Sequence, residues 1–131
     1  MKKLDYSTLL LINPILLHNQ TTNYLKSKTT KPKGIDDLIT SKIEFFIDFN
    51  ERYYSFLPLS INTILIAQKL NFIETNNNII IPNKKEIEKF EFDSQELGNR
   101  ANAIIEASQK LVELLKKEST RSLYLKLRVE I

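Results

Sequence analysis

Few side chains in this sequence can do chemistry. His18 is the one histidine, and cysteine is absent. A zinc-type site therefore lacks both thiolates and a second imidazole. A Ser-His-Asp triad built on His18 would need a glycine-flanked nucleophile elbow, and no serine here has one. Gly34 and Gly98 are the two glycines, which is too few for a loop that cradles phosphate. Asp36 and Asp37 are adjacent carboxylates, but on a helix they point about 100° apart, with no third ligand beside them. They suit a first helical turn, where negative charge meets the positive end of the helix dipole. His18 is expected at a helix end, half-buried and hydrogen-bonded to backbone. These residues assign no catalytic group, no cofactor and no metal, and enzyme activity is not expected.

The charge is placed unevenly. Residues 1–33 hold six lysines against Asp5, and the remainder is slightly acidic, so the formal net charge of +3 is local. Lys26, Lys28, Lys31 and Lys33 lie in KSKTTKPKG, whose Pro32 and Gly34 make it a loop. One reading is phosphate contact with nucleic acid. The other is a solvated, mobile loop, which is favoured because no arginine or aromatic side chain interleaves the lysines.

The elements follow from hydrophobic spacing. Leu57 to Pro82 reads as a buried helix and then a two-stranded hairpin, with Pro58 in the first helical turn, where its missing N–H costs nothing. Leu59, Ile61, Ile64, Leu65, Ile66, Ala67 and Leu70 leave that helix almost no polar face, so it should be covered on most sides. Phe72–Glu74 and Ile79–Ile81 are the strands, and Thr75 to Asn78 supply a turn whose asparagines tolerate left-handed backbone. Upstream, Leu4 to Leu17 is a helix disturbed at Pro14, with a strand as the alternative for Leu9–Ile12, and Thr21 or Thr22 caps a short turn. Ile35 to about Tyr54 repeats apolar residues at three- and four-residue steps, as an amphipathic helix does.

Downstream, Asn83 with Glu86, and Asp93 with Glu96, are capping-box pairs that open a short helix and then the longest one, to about Glu118. Leu97, Ala101, Ile104, Ser108, Leu111 and Leu115 form its stripe, widened by Ile105 and Val112, and Glu106–Lys110 and Glu113–Lys117 are i,i+4 pairs on its wet side. Ser119-Thr120 caps a last short helix to about Leu127, and Val129 and Ile131 suggest a tail that docks. The expectation is a mainly α chain with one small β-hairpin, winged-helix-like, with a long C-terminal helix. It reads as a single domain, 1–131, with a helix-helix-hairpin core at 34–82 and C-terminal helices at 93–127.

A winged-helix order raises DNA readout. The helix at the recognition position offers only Ser60, Asn62, Thr63, Gln68 and Lys69 as polar side chains, and the hairpin tip is uncharged asparagine. Readers of the major groove present Arg, Lys, Asn or Gln on an exposed face, so direct readout is disfavoured and a protein contact fits better. Phe45, Ile47, Tyr54, Phe56, Tyr124 and Leu125 exceed what one small core needs and are the candidate partner-facing residues. The longest apolar run, Leu9 to Leu17, is broken by Asn13-Pro14 and is too short to span a bilayer. The absence of cysteine suits a reducing cytoplasm.

Three stretches together resemble a bacterial family: LLINPILLHNQ from Leu10, FNERYYSFLPLSINTILIAQKLNFIE from Phe49, and NRANAIIEASQKLVELLKKESTRSLYLKLRVEI from Asn99. They look like the middle component of the ABC-three-component conflict systems, which include the Lamassu anti-phage and anti-plasmid systems. In that family a Leu-rich segment ends in a histidine, as at His18. A proline-led apolar helix runs into a strand, as at Pro58 to Glu74, and an Ala-rich amphipathic helix precedes a last helix, as at Ala101 to Leu127. Two departures stand out. The family often has an additional N-terminal segment before the Leu-rich stretch, which here starts almost at Met1. The glycine common after the last helix is replaced by Leu127-Arg128-Val129.

The resemblance implies a non-catalytic accessory subunit that binds an SMC-like ABC ATPase near its head domains. It would help hold an effector, commonly a nuclease, inactive until foreign DNA is sensed, reaching DNA through the complex. It carries over no site residue. The alternatives are a free-standing winged-helix DNA-binding regulator and a homo-oligomeric scaffold assembled through the long helix.

Overall fold

The computed structural model describes residues 4–89 and 94–131. Helices dominate it. The N-terminal stretch folds as α1 (Tyr6–Leu9), α2 (Ile12–Leu16) and α3 (Asn19–Lys26). Pro14 does not break the chain as expected. It sits in the first turn of α2, and the break falls before it, at Leu10-Leu11. Asp5 caps α1, its Oδ1 accepting from the Thr8 N–H at 2.8 Å. The expected short turn at Thr21 or Thr22 is the interior of α3, with His18 at the cap position.

The single helix expected over 35–54 is three pieces: α4 (Ile35–Ser41), a 3-10 turn at Ile43–Phe45 and the start of the next helix at Phe49, the first two separated where Lys42 leaves helical geometry at φ −134°, ψ 54°. No glycine or proline lies there, so packing sets the break. Ile35 and Leu38 enter the core from one side of it, and Phe45, Phe46 and Phe49 from the other. Next, α5 (Phe49–Lys69) runs 21 residues straight through Pro58, which is therefore an interior residue. Its end is a Schellman closure. Asn71 is left-handed (φ 63°), Phe72 N–H donates to Ala67 O (2.9 Å), and Asn71 N–H donates to Gln68 O (3.0 Å).

The hairpin is β1 (Ile73–Asn76) and β2 (Ile79–Pro82), antiparallel, with Asn76 opposite Ile79. Asn77 and Asn78 both have positive φ (51° and 65°), as a two-residue type I′ turn requires. The N-terminal backbone runs alongside β2, with Ile80 N–H donating to Leu4 O and Tyr6 N–H to Asn78 O.

After α6 (Lys84–Glu88) comes α7 (Ser94–Lys116), interrupted at Gly98 (φ 82°, ψ 173°), and then α8 (Thr120–Lys126). Asn83 precedes α6 without a side-chain capping bond, and the expected Asp93 cap lies outside the described residues. Ser119 does cap α8, accepting from the Ser122 N–H at 3.2 Å. The buried side of α7 is Ala107, Leu111, Leu114 and Leu115, a rotation from the expected stripe that leaves Ile105 and Leu97 exposed. These residues join Leu11, Ile15, Leu16, Leu25, Phe49, Tyr53, Leu123, Leu127 and Val129 in one apolar cluster. The result is mainly α with one antiparallel hairpin and a long helix near the C-terminus, as the sequence indicated.

Candidate protein-docking surface

The first half of α5 is anchored. Phe49 and Tyr53 are buried in the core. Arg52 donates to Pro14 O (3.2 Å) and Phe45 O (2.8 Å), pairs with Asp48 (2.7 Å) and lies 5.3 Å over the Phe49 ring. Burial lowers the guanidinium's pKa, against the stabilising charge and hydrogen bond of Asp48. The second half of α5 has less to lean on. At 100° per residue, Tyr53, Leu57, Ser60 and Ile64 share the inward face. Tyr53, Ser60 and Ile64 are buried and Leu57 packs against the core.

Apolar side chains flank that face on both sides. Tyr54, Pro58, Ile61 and Leu65 follow one another along one flank, and Leu59, Ile66 and Leu70 along the other. They are not covered. Leu59 and Leu65 are each 47% exposed, Ile66 57% and Leu70 52%. The expectation of a helix covered on most sides is therefore corrected: α5 is apolar on three sides but packed on one. Its most polar strip is Glu51, Ser55, Asn62 and Lys69, with Thr63 and Gln68 set among the apolar flanks. Ile79 and Ile81 add exposed apolar surface on β2.

At Tyr54 this flank opens into a groove of about 750 Å³ between α5, α8 and the C-terminal tail. Leu10, Tyr53, Tyr54, Leu57, Tyr124 and Leu125 line it, with Arg121 at one edge. Its floor is tied by hydroxyls. Tyr124 donates to Ser7 O at 2.6 Å, and the Tyr53 and Tyr124 hydroxyls lie 3.1 Å apart. Burial, then the Tyr53 hydroxyl, raise the Tyr124 phenol well above its ordinary pKa. The tail docks across it: Val129 is buried, Tyr54 donates to Glu130 O, and Glu130 N–H donates to Asn50 Oδ1 at 2.8 Å.

The residues singled out from the sequence thus separate. Tyr54 and Leu125 are exposed and meet in the groove, and Tyr124 meets them there with its ring mostly buried. Phe45 is a core residue against His18 and Tyr24, so it is not available to a partner as expected. Phe56 is half-buried, and Ile47 is exposed beside a different hollow, with Ile43 and Phe46. Sequence reasoning passed over Ile61, Leu65, Ile66 and Leu70 as surface. The signal was their placement on more faces than one helix can bury.

His18 is half-buried at the start of α3, as expected, but its partner is a side chain: Nδ1 lies 2.8 Å from the Thr21 hydroxyl. Desolvation and the nearby Arg52 charge lower its pKa, with Asp48 acting the other way. Among the described residues no cluster of three His, Cys, Asp or Glu side chains is placed to hold a metal. None of the described helices is long and apolar enough to cross a membrane.

Lys26, Lys28, Lys31 and Lys33 are all exposed. Their loop is held against α7, where Lys110 donates to Ser27 O and Thr30 O, and Lys117 to Lys33 O. The expected Glu106–Lys110 and Glu113–Lys117 pairs are not formed, because both lysines are taken by loop carbonyls.

An apolar docking face without reactive groups is what a subunit of an assembly presents. Residues 1–131 match the family ABC-three component (ABC-3C) system Middle Component 3. The chain belongs to that family. A middle component works among other subunits of an ABC-three-component system, so interaction with those subunits follows from membership. No match is found among curated proteins or solved structures. For a Middle Component 3 chain, the flanks of α5 and the groove beside Tyr54 are the surfaces to consider first.

Proposed function

We propose that this Middle Component 3 chain is a non-catalytic cytoplasmic subunit of a Lamassu-type anti-phage or anti-plasmid complex. It docks an SMC-like ABC ATPase through α5 and helps restrain an effector nuclease, leaving ATP hydrolysis and DNA cleavage to its partners. The observation that carries this reading is the uncovered Tyr54–Pro58–Ile61–Leu65 flank, continuous with the α5–α8 groove. Apolar surface of this kind is costly on a free monomer and is the usual core of a stable interface.

The runner-up, a free-standing DNA-binding regulator, fits α5 poorly. The exposed side chains of its second half are chiefly Leu and Ile, with Lys69 as the single cation.

Co-expression with the ABC ATPase of the same system should give a stoichiometric complex. Ile61→Asp with Leu65→Asp should abolish co-purification. Both positions are exposed, so each substitution should shift the variant's own stability by no more than about 0.5 kcal/mol. Failure of the unaltered chain to co-purify would remove the proposed role. Undiminished binding by the double variant would remove α5 as its docking face.

A further inference from the structure

We infer that the 27–34 loop is a built contact for the phosphate backbone of nucleic acid, separate from the apolar docking face. The loop is not left to solvent. Lys110 and Lys117 stand two helical turns apart on α7, on the same side, and reach under the loop to the carbonyls of Ser27, Thr30 and Lys33. Those carbonyls are thereby turned toward α7 and satisfied.

Several of the loop's backbone amides are engaged as well, Thr29 N–H among them on Ser27 Oγ at 3.4 Å. Thr30 N–H donates to Ser27 O at 3.2 Å, and Lys33 N–H to Asp37 Oδ2 at 2.9 Å. What the loop offers outward is Lys26, Lys28, Lys31 and Lys33. Among the described residues none of the four pairs with a carboxylate.

The surroundings suit an anionic polymer better than a single ion. No acidic residue occurs between Asp5 and Asp36 in the sequence. Asn19, Gln20 and Asn23, exposed on α3, add neutral donors beside Lys26. The acids that do approach are engaged or outnumbered. Asp36 pairs with Lys126 (2.7 Å), Asp37 takes the loop amide, and Glu113 lines a shallow hollow together with Lys31, Lys110 and Lys117. A loop held in place before binding loses less entropy on contact, which favours a real association over transient attraction.

The same geometry sets what the contact cannot do. Tyr24, the aromatic nearest in sequence, packs edge-on against Phe45 and is covered by the Lys42 ammonium at 5.2 Å. With no free ring to stack on a base, and with Arg100, the arginine that shares a hollow with Lys26, donating to Leu17 O at 3.3 Å, the contact is blind to sequence.

The test is titration of the full-length chain against two labelled 30-base-pair DNA duplexes of unrelated sequence. Both should bind alike. With four phosphates neutralised, affinity should fall roughly 150-fold between 50 and 200 mM salt. The Lys26→Gln, Lys28→Gln, Lys31→Gln, Lys33→Gln variant should lose at least about 10-fold at 50 mM salt with an unchanged melting temperature. The Ile61→Asp, Leu65→Asp variant should bind DNA as the unaltered chain does, which separates this contact from the docking face. No binding at 50 mM salt, undiminished binding by the quadruple variant, or preference for poly-glutamate over DNA would each overturn the inference.

Discussion

Gly98 and Arg128 hold positive φ at helix boundaries, and each makes the opposite demand on its side chain. Gly98 sits at φ 82°, ψ 173° inside α7, a region essentially reserved for glycine, and a Cβ there would meet nothing within 4 Å. The whole cost of Gly98→Ala therefore falls on the backbone, and it should destabilise by about 1–3 kcal/mol in chemical denaturation. Arg128 is left-handed at φ 59° and closes α8 by the Schellman pattern, with Val129 N–H on Tyr124 O and its own N–H on Leu125 O. Glycine is the usual residue at such a closing position. Arg128→Gly should stabilise by about 0.5–1 kcal/mol, the relief of left-handed strain less the added freedom of the unfolded chain. Loss of stability in that variant would mean that the Arg128 side chain has a structural role that the backbone argument omits.

At the scale of elements, α5 is the one at odds with its own sequence. Pro58 cannot donate to the Tyr54 carbonyl four residues back, and its ring crowds that turn, yet the helix continues to Lys69. The position is exposed, so water can serve the freed carbonyl. Pro58→Ala should then raise stability by about 1–3 kcal/mol and increase helical circular dichroism; an unchanged or lower melting temperature would show that the ring packs usefully. The same helix shows what the sequence could and could not disclose. The hairpin was legible because the asparagines between the two apolar runs tolerate left-handed backbone, although Thr75 and Asn76 pair in β1 and the turn is Asn77-Asn78 alone, and α8 was legible because Ser119 is a strong cap. The break at Lys42 was not, since no glycine or proline marks it and packing decides it. Nor was the exposure of Leu65 and Ile66, because periodicity reports which side chains are apolar and not what covers them. For that reason Phe45, Tyr54, Tyr124 and Leu125 looked alike in sequence and divide between core and groove in the structure.

Over the whole molecule, the titrating groups define a window of stability whose two limbs have separate origins. On the acid side, desolvation and Arg52 lower the His18 pKa below 6.5, so the unfolded chain takes up a proton first. Stability is full above about pH 6.5 and falls as pH drops through the folded-state value, where a second cation is forced beside Arg52. Further down, the Lys126 and Ser122 hydrogen bonds that lower Glu118 are lost below about pH 4.5. On the alkaline side, the sign reverses. Burial and Tyr53 raise Tyr124, so its contribution is intact below about pH 10 and is lost as the unfolded phenol ionises. Lys126, raised by Asp36 and Glu118, is lost in the same direction. Denaturation midpoints measured across pH should form a plateau between about pH 7 and 10 with a decline on each side. His18→Gln should flatten the first part of the acid limb and leave the alkaline limb untouched, while Tyr124→Phe should do the reverse. An acid limb that persists unchanged between about pH 5 and 7 in His18→Gln would show that His18 is not the group that anchors α3 against Arg52 and the 3-10 turn.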